Sequence, residues 1–325
     1  MDTANDLNLN QKTYDWTVRS VSALTSSLSV NIKLHHDGDQ VEQGQIFLFN
    51  HFARFETFIP QFLMHQKSRA YCRSIAAGEF FRGNDTFANY LRSVGAVPHD
   101  MPELLPFLAE EILRGRKVII FPEGGMVKDR RVLDDKGKYS IFSRTARERR
   151  KHHTGAAVLA LTLNAFKMGI RALHADKDTM RLTQWVDRLN LENVEALMAA
   201  VEKPTFIIPA NITFYPIRVR DNILHQGVEL FTKGLSPRMA EELLIEGNIL
   251  LRDTDMDVRL GDPVAPGKFW QWWERKLLAP MVRKVESMEE LFQLNTRRGA
   301  WFERLGARYI ARTTLMLRDT YMYEM

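Results

Sequence analysis

Two short apolar runs constrain this chain more than any other feature. Ile46-Phe47-Leu48-Phe49 follows Gly44-Gln45 and ends at Asn50, and Val118-Ile119-Ile120-Phe121 ends at Pro122. Neither alternates polar with apolar residues, so each has the composition of a strand covered on both faces. Between them the pattern predicts a helix over Phe55 to Gln66 and a strand over Ala70 to Ile75. A second helix follows, whose Leu104, Leu105, Leu108 and Ile112 share one face. Strand, helix, strand in this order predicts an α/β fold: a mixed, mostly parallel central sheet flanked by helices.

Helix starts and stops refine the reading. Asp100-Met101-Pro102-Glu103 reads as a helix start, with Asp100 as N-cap, and Arg114-Gly115-Arg116 ends that helix. A weak helix is expected from Tyr14 to Leu28, a strand over Val30 to Leu34, and a turn at His36 to Asp39. Thr154 to Phe166 is an apolar helix, and a helical insertion is expected near 168–203. Thr205 to Arg218 has strand character interrupted by Pro209 and Pro216. Met239 to Leu251 reads as a helix, and Asp255 to Leu260 as a strand.

A soft boundary near Pro266 divides an α/β domain (1–266) from a basic, Trp-rich helical extension (267–325). From Lys268 onward there are 11 Lys/Arg against 7 Asp/Glu, so most of the chain's net charge of +5 sits there. Four of the six tryptophans (Trp270, Trp272, Trp273 and Trp301) are there as well. Aromatics and cations on helices suit a membrane interface. The same tryptophans equally suit packing onto the core.

Composition narrows the function classes. A charge of +5 over 325 residues permits an anionic partner without requiring nucleic acid. Cys72 is the single cysteine, which excludes an intramolecular disulfide and a Cys-based zinc site. Gly155 to Leu173 is apolar but interrupted by Asn164, Lys167 and Arg171, so no bilayer-spanning segment is expected. Met1 to Asn10 carries Asp2 and Asp6 and lacks the cationic start of a signal peptide. No G-x-S-x-G, H-E-x-x-H or strand-following G-x-G-x-x-G is present, which leaves hydrolase, zinc-protease and dinucleotide readings without support.

The two apolar runs lead into the residues with chemical potential. In open α/β sheets, sites lie beyond the carboxyl ends of strands. There the first run meets Asn50-His51-Phe52-Ala53-Arg54-Phe55-Glu56, and the second meets Pro122-Glu123-Gly124-Gly125. A neutral imidazole oriented by a carboxylate is a general base for a hydroxyl. Five residues on one regular helix rotate by about 140°, so His51 and Glu56 can meet only across a strand-to-helix turn. The plainer reading makes His51 a strand-end histidine and Glu56 a first-turn acid favoured by the helix dipole. Gly124 and Gly125 allow close approach to an anionic oxygen, or simply form a tight turn. His99-Asp100 resembles a second dyad, although Asp100 reads better as a cap. His35-His36 and His152-His153 read as exposed pairs rather than metal ligands.

Asn50-His51-x4-Glu56, followed about 65 residues later by Phe121-Pro122-Glu123-Gly124, resembles the NHx4D and FPEG blocks of the glycerolipid acyltransferases. Gly78-Glu79-Phe80-Phe81 with Leu91 to Val97 is similar to that family's second block, and Ile207-Ile208-Pro209 to its fourth. Val258 to Val264 is similar to its closing strand and turn. The resemblance implies His51 as general base on a glycerol hydroxyl and Glu56 as the dyad acid. It also implies Asn50, Arg54, Phe121, Pro122, Glu123, Gly124 and Gly125 as substrate-binding residues. The donor would be acyl-CoA or acyl-carrier protein, attacked directly, with no cofactor and no metal. The acceptor would be a glycerolipid such as lysophosphatidic acid or a related lysophospholipid. A membrane-surface partner, no nucleic acid, and a cytoplasmic, peripheral position at the inner face of a membrane are the matching expectations. A catalytically silent lipid-surface binding protein of the same fold is the alternative.

Three departures bear on the acceptor. Glu56 stands where the family usually has Asp, Gly125-Met126 where it has Thr-Arg, and Met101 where its second block closes with Arg. Arg54, Lys128, Arg130, Arg131, Arg144, Arg147, Arg149, Arg150 and Lys151 are nearby cations able to take over a phosphate. They equally read as a solvated basic face.

Overall fold

The computed structural model describes residues 7–27, 31–50, 59–82, 85–122, 140–143, 148–151, 153–215, 255–270, 283–293 and 313–322. Its centre is a seven-stranded sheet built from β1 (Asn31–His35), β2 (Ile46–Phe49), β3 (Cys72–Ala76), β4 (Ala96–Pro98), β5 (Lys117–Ile120), β8 (Ile207–Tyr215) and β9 (Asp255–Leu260). The spatial order is β1-β9-β8-β2-β5-β3-β4. Strands β8, β2, β5, β3 and β4 run parallel, while β9 pairs antiparallel with β8 and carries β1 parallel to itself. The mixed, mostly parallel sheet expected from the sequence is therefore present. A separate hairpin joins β6 (Ser140–Ser143) to β7 (Glu148–Lys151).

The two apolar runs are central neighbours, with Ile46 opposite Val118 and Leu48 opposite Ile120. All four residues of each strand are buried. Alternation sends Ile46, Leu48, Val118 and Ile120 into one core and Phe47, Phe49 and Ile119 into another on the opposite face. The first core is covered by α6 (Gly155–Ala175), and the second receives Ile59 and Met64 of α3 (Ile59–Ser68). Burial on both faces explains why these strands carry no polar alternation.

Helix α6 runs past Phe166 to Ala175. By length and composition it is apolar enough to cross a bilayer, yet 72% of its most apolar window is buried inside the fold, as in a core helix. Lys167 does not break it, because its ammonium is also buried. Nζ donates to Gln45 Oε1 at 3.1 Å and to the Lys203 carbonyl at 2.7 Å. Burial lowers the Lys167 pKa to about 7, helped by the neighbouring Arg171 and Lys203 cations. Lys117, similarly buried, donates to the carbonyls of Glu42 and Gly44, and burial lowers its pKa to about 8. Helices α7 (Thr179–Leu189) and α8 (Val194–Glu202) pack against α6. Asp178 and Asn193 cap them by accepting from the Arg181 and Ala196 amides.

Helix α5 (Leu104–Leu113) is locked to β3 by a buried ionic cluster. Arg73 Nε donates to Glu111 Oε2 at 2.5 Å, Arg114 reaches Glu111 Oε1 at 3.0 Å, and Arg116 also pairs with Glu111. Arg73 and Glu111 are both buried. At the same end of the sheet, burial pushes the Cys72 thiol up to about 12.

Two sequence expectations change. Asp100 does not cap α5: the helix begins at Leu104 after a left-handed Glu103, and the Asp100 carboxylate pairs with Arg82 instead. Pro209 does not interrupt β8. Ile207 exchanges both backbone bonds with Val264, so Pro209, two residues on, faces the same side, toward Gly261. The missing N–H thus falls opposite the irregular 261–263 segment, and the Pro209 carbonyl still accepts from Gly261 at 2.8 Å. Pro216, the helix expected at Met239 to Leu251, and Trp272, Trp273 and Trp301 lie outside the described residues. Trp270 is buried in the main core. So are residues of α9 (Met288–Gln293) and of the helix 313–322, including Leu317 and Tyr321.

Candidate active site

The chain leaves β2 and β5 at neighbouring points of one rim. After β2 it crosses by α3 to β3, which lies beyond β5; after β5 it passes through α6, α7 and α8 to β8, which lies beyond β2. The two crossovers therefore pass on opposite faces, as the separate cores containing α3 and α6 require. Adjacent strands whose connections diverge in this way open a crevice at their carboxyl ends, where α/β proteins bind ligands. Asn50 and Pro122, at the ends of β2 and β5, flank that crevice. His51, Arg54, Glu56, Glu123, Gly124 and Gly125 lie outside the described residues.

Asn50, Phe121 and Pro122 are described. Asn50 Nδ2 donates to the Ile212 carbonyl at 3.1 Å, and the Ile212 amide donates to Asn50 Oδ1 at 2.6 Å. The β2–β8 ladder ends with Phe49 opposite Ala210, so the Asn50 side chain extends it by one rung in the manner of a peptide group. The Phe121 ring lies 6.2 Å from that of Phe49 across the two strands. Pro122 is buried, and its carbonyl accepts from the His153 amide at 3.0 Å, which closes the base of the segment between β5 and α6.

The next two strand ends complete the rim. The His99 amide, just past β4, donates to the Ala76 carbonyl at 2.9 Å, and the Gly78 amide donates to His99 Nδ1 at 2.9 Å. An accepting Nδ1 leaves the proton of the neutral ring on Nε2. A Cβ at Gly78 would displace the Asp100 carboxylate from its present position. His99 and Asp100 thus clasp the Gly78 turn, and Asp100 holds Arg82 on the same rim. The sequence singled out His99-Asp100 as a pair but gave no sign that Gly78 joins them, since that bond spans 21 residues. Among the described residues, no group of three His, Cys, Asp or Glu side chains is placed to hold a metal.

Comparison with known proteins adds one finding. The family model described as Acyltransferase matches residues 31–170, from β1 through most of α6. No curated protein and no solved structure matches the chain.

Proposed function

We propose, from the Acyltransferase family model that matches residues 31–170, that this chain transfers a fatty acyl group to a hydroxyl of a glycerolipid acceptor, with His51 as general base. The adjacency of the two strand ends supports the proposal: β2 and β5 are neighbours, and the helices that follow them lie on opposite faces of the sheet. A base on one wall and a glycine-rich turn on the other is the arrangement an acyl transfer needs.

The reaction balances without an acyl-enzyme. His51 takes the hydroxyl proton as the acceptor oxygen attacks the thioester carbonyl of acyl-CoA or acyl-carrier protein. The tetrahedral adduct collapses, the carbon–sulfur bond breaks, and the departing thiolate takes the proton back from the imidazolium. Glu56 orients the ring and stabilises its cation. Backbone amides near Gly124 and Gly125 stabilise the oxyanion, and Arg54 with Glu123 positions the acceptor. Asn50 acts through the backbone, holding the strand end from which His51 departs. The enzyme works in the cytoplasm, peripheral to the inner face of a membrane, where its acceptor resides.

The test is His51→Ala assayed by thiol release and by mass spectrometry of acylated products from a mixed lysophospholipid pool. Turnover should fall on the order of 10²–10⁴-fold with the thermal midpoint unchanged. Parent-level transfer by the variant would remove His51 from its role. A second reading, a silent lipid-surface binding protein, is favoured by Met126 and Met101 at positions where the family has arginine. It prevails if the parent protein acylates no acceptor in the pool with either donor.

A further inference from the structure

Helix α1 (Gln11–Ser27) packs with one face inward and leaves a chemically uniform stripe outside. Tyr14 and Thr17 are buried, and Tyr14 meets Phe62, His65 and Tyr71 edge-on or at steep angles. On the opposite face, Lys12, Trp16, Arg19 and Ala23 are all exposed. Their spacing places them within an arc of about 60°. Trp16 is 65% exposed, an uncommon position for the largest apolar side chain on a folded protein.

The charge on that stripe is of one sign. The only acid of α1, Asp15, is turned toward the domain: its carboxylate lies 3.4 Å from His65 Nε2 and accepts from the Tyr71 hydroxyl at 3.4 Å. Lys12 and Arg19 are left to flank Trp16. The inward face is tied to α4 (Asp85–Ser93), where the Tyr90 hydroxyl lies 3.2 Å from Thr17 Oγ1. An indole between two cations matches the headgroup layer of a bilayer, where amphipathic rings lodge and phosphates meet ammonium and guanidinium groups.

We infer that the Lys12–Trp16–Arg19 face of α1 docks on an anionic phospholipid surface, with Trp16 entering the headgroup layer. The inference rests on the acyltransferase reading for its purpose, since a lipid acceptor lies in such a surface, and on α1 alone for its geometry.

The experiment is flotation of the full chain with phosphatidylglycerol/phosphatidylcholine vesicles and with pure phosphatidylcholine vesicles. The parent should bind the anionic vesicles far more tightly. Lys12→Ala with Arg19→Ala should weaken that binding by about thirtyfold, roughly fivefold per cation. Trp16→Ala should weaken binding to both compositions. All three positions are exposed, so the variants should keep the parent's circular dichroism and unfolding midpoint. Turnover of a short-chain, monomeric acceptor should also be unaltered. Vesicle affinity that ignores these substitutions, or that ignores lipid charge, overturns the inference. So does a parent dimer that they dissociate, because the occupant is then a second copy of the chain. A chain that binds vesicles through α1 yet acylates nothing fails the acyltransferase reading alone.

Discussion

Lys167 illustrates how a single buried charge couples this fold to pH. Its ammonium is 0% exposed and both of its hydrogen-bond acceptors are neutral oxygens, so burial lowers its pKa to about 7, against about 10.4 for an unfolded lysine. Below pH 7 both states hold the proton, and the cost of burying it falls fully on the folded state. Between pH 7 and about 10.4 the unfolded chain retains a proton that the folded chain has released, so stability rises with pH. Lys117, lowered to about 8, acts with the same sign. The Cys72 thiol, raised to about 12, opposes them once an unfolded thiol ionises near 8.5. In the window from pH 7 to 8.5, Lys167→Met should remove roughly 1–2 kcal/mol of the parent's rise in unfolding free energy. Urea titrations at the two pH values measure it, and equal slopes in parent and variant would refute the assignment. In the sequence, Lys167 reads only as an interruption of an apolar segment. Its partners lie 122 and 36 residues away, and nothing local indicates them.

Elements are joined here by contacts of uneven legibility. β2 and β5 could be read directly, because strands covered on both faces leave unbroken apolar runs. The start of α5 could not: Asp100 has the right residue type and spacing for a cap, but a cation 18 residues earlier claims its carboxylate. Pro209 misled for a related reason, since a proline's tolerance in a strand depends on what its missing donor faces. The Arg73–Glu111 lock between β3 and α5 is equally silent in sequence. Removing the negative charge there leaves Arg73 buried without its countercharge. Glu111→Gln should therefore cost about 3–5 kcal/mol in urea-induced unfolding. Glu110→Gln, which breaks only the more exposed 3.0 Å pair with Arg114, should cost about 1 kcal/mol or less. Similar losses in the two variants would deny Glu111 its special place.

Across the whole molecule, the main core draws side chains from both ends of the chain: Leu7, strands β2 and β5, helix α6, Trp270, Met288 and Phe292, and finally Leu317 and Tyr321. Truncation after residue 266 would strip one wall from that core. Such a fragment should lose cooperative unfolding and expose surface that binds a hydrophobic dye, whereas a sharp, parent-like melt would show that 1–266 folds alone. The mostly parallel sheet was legible at this scale, because unbroken apolar runs mark its two central strands. Whether His51 and Glu56 meet was not legible, because a five-residue spacing fixes no distance across a turn. The reversal of β9 carries a further consequence. Tyr215, the last residue of β8, lies opposite Asp255, the first of β9, at the same rim as the crevice. Chain inserted between those two strands therefore departs and returns at the rim formed by the carboxyl ends of β2 and β5. Lengthening or recomposing it would leave every described strand pair intact, so this junction can vary while the scaffold stays fixed.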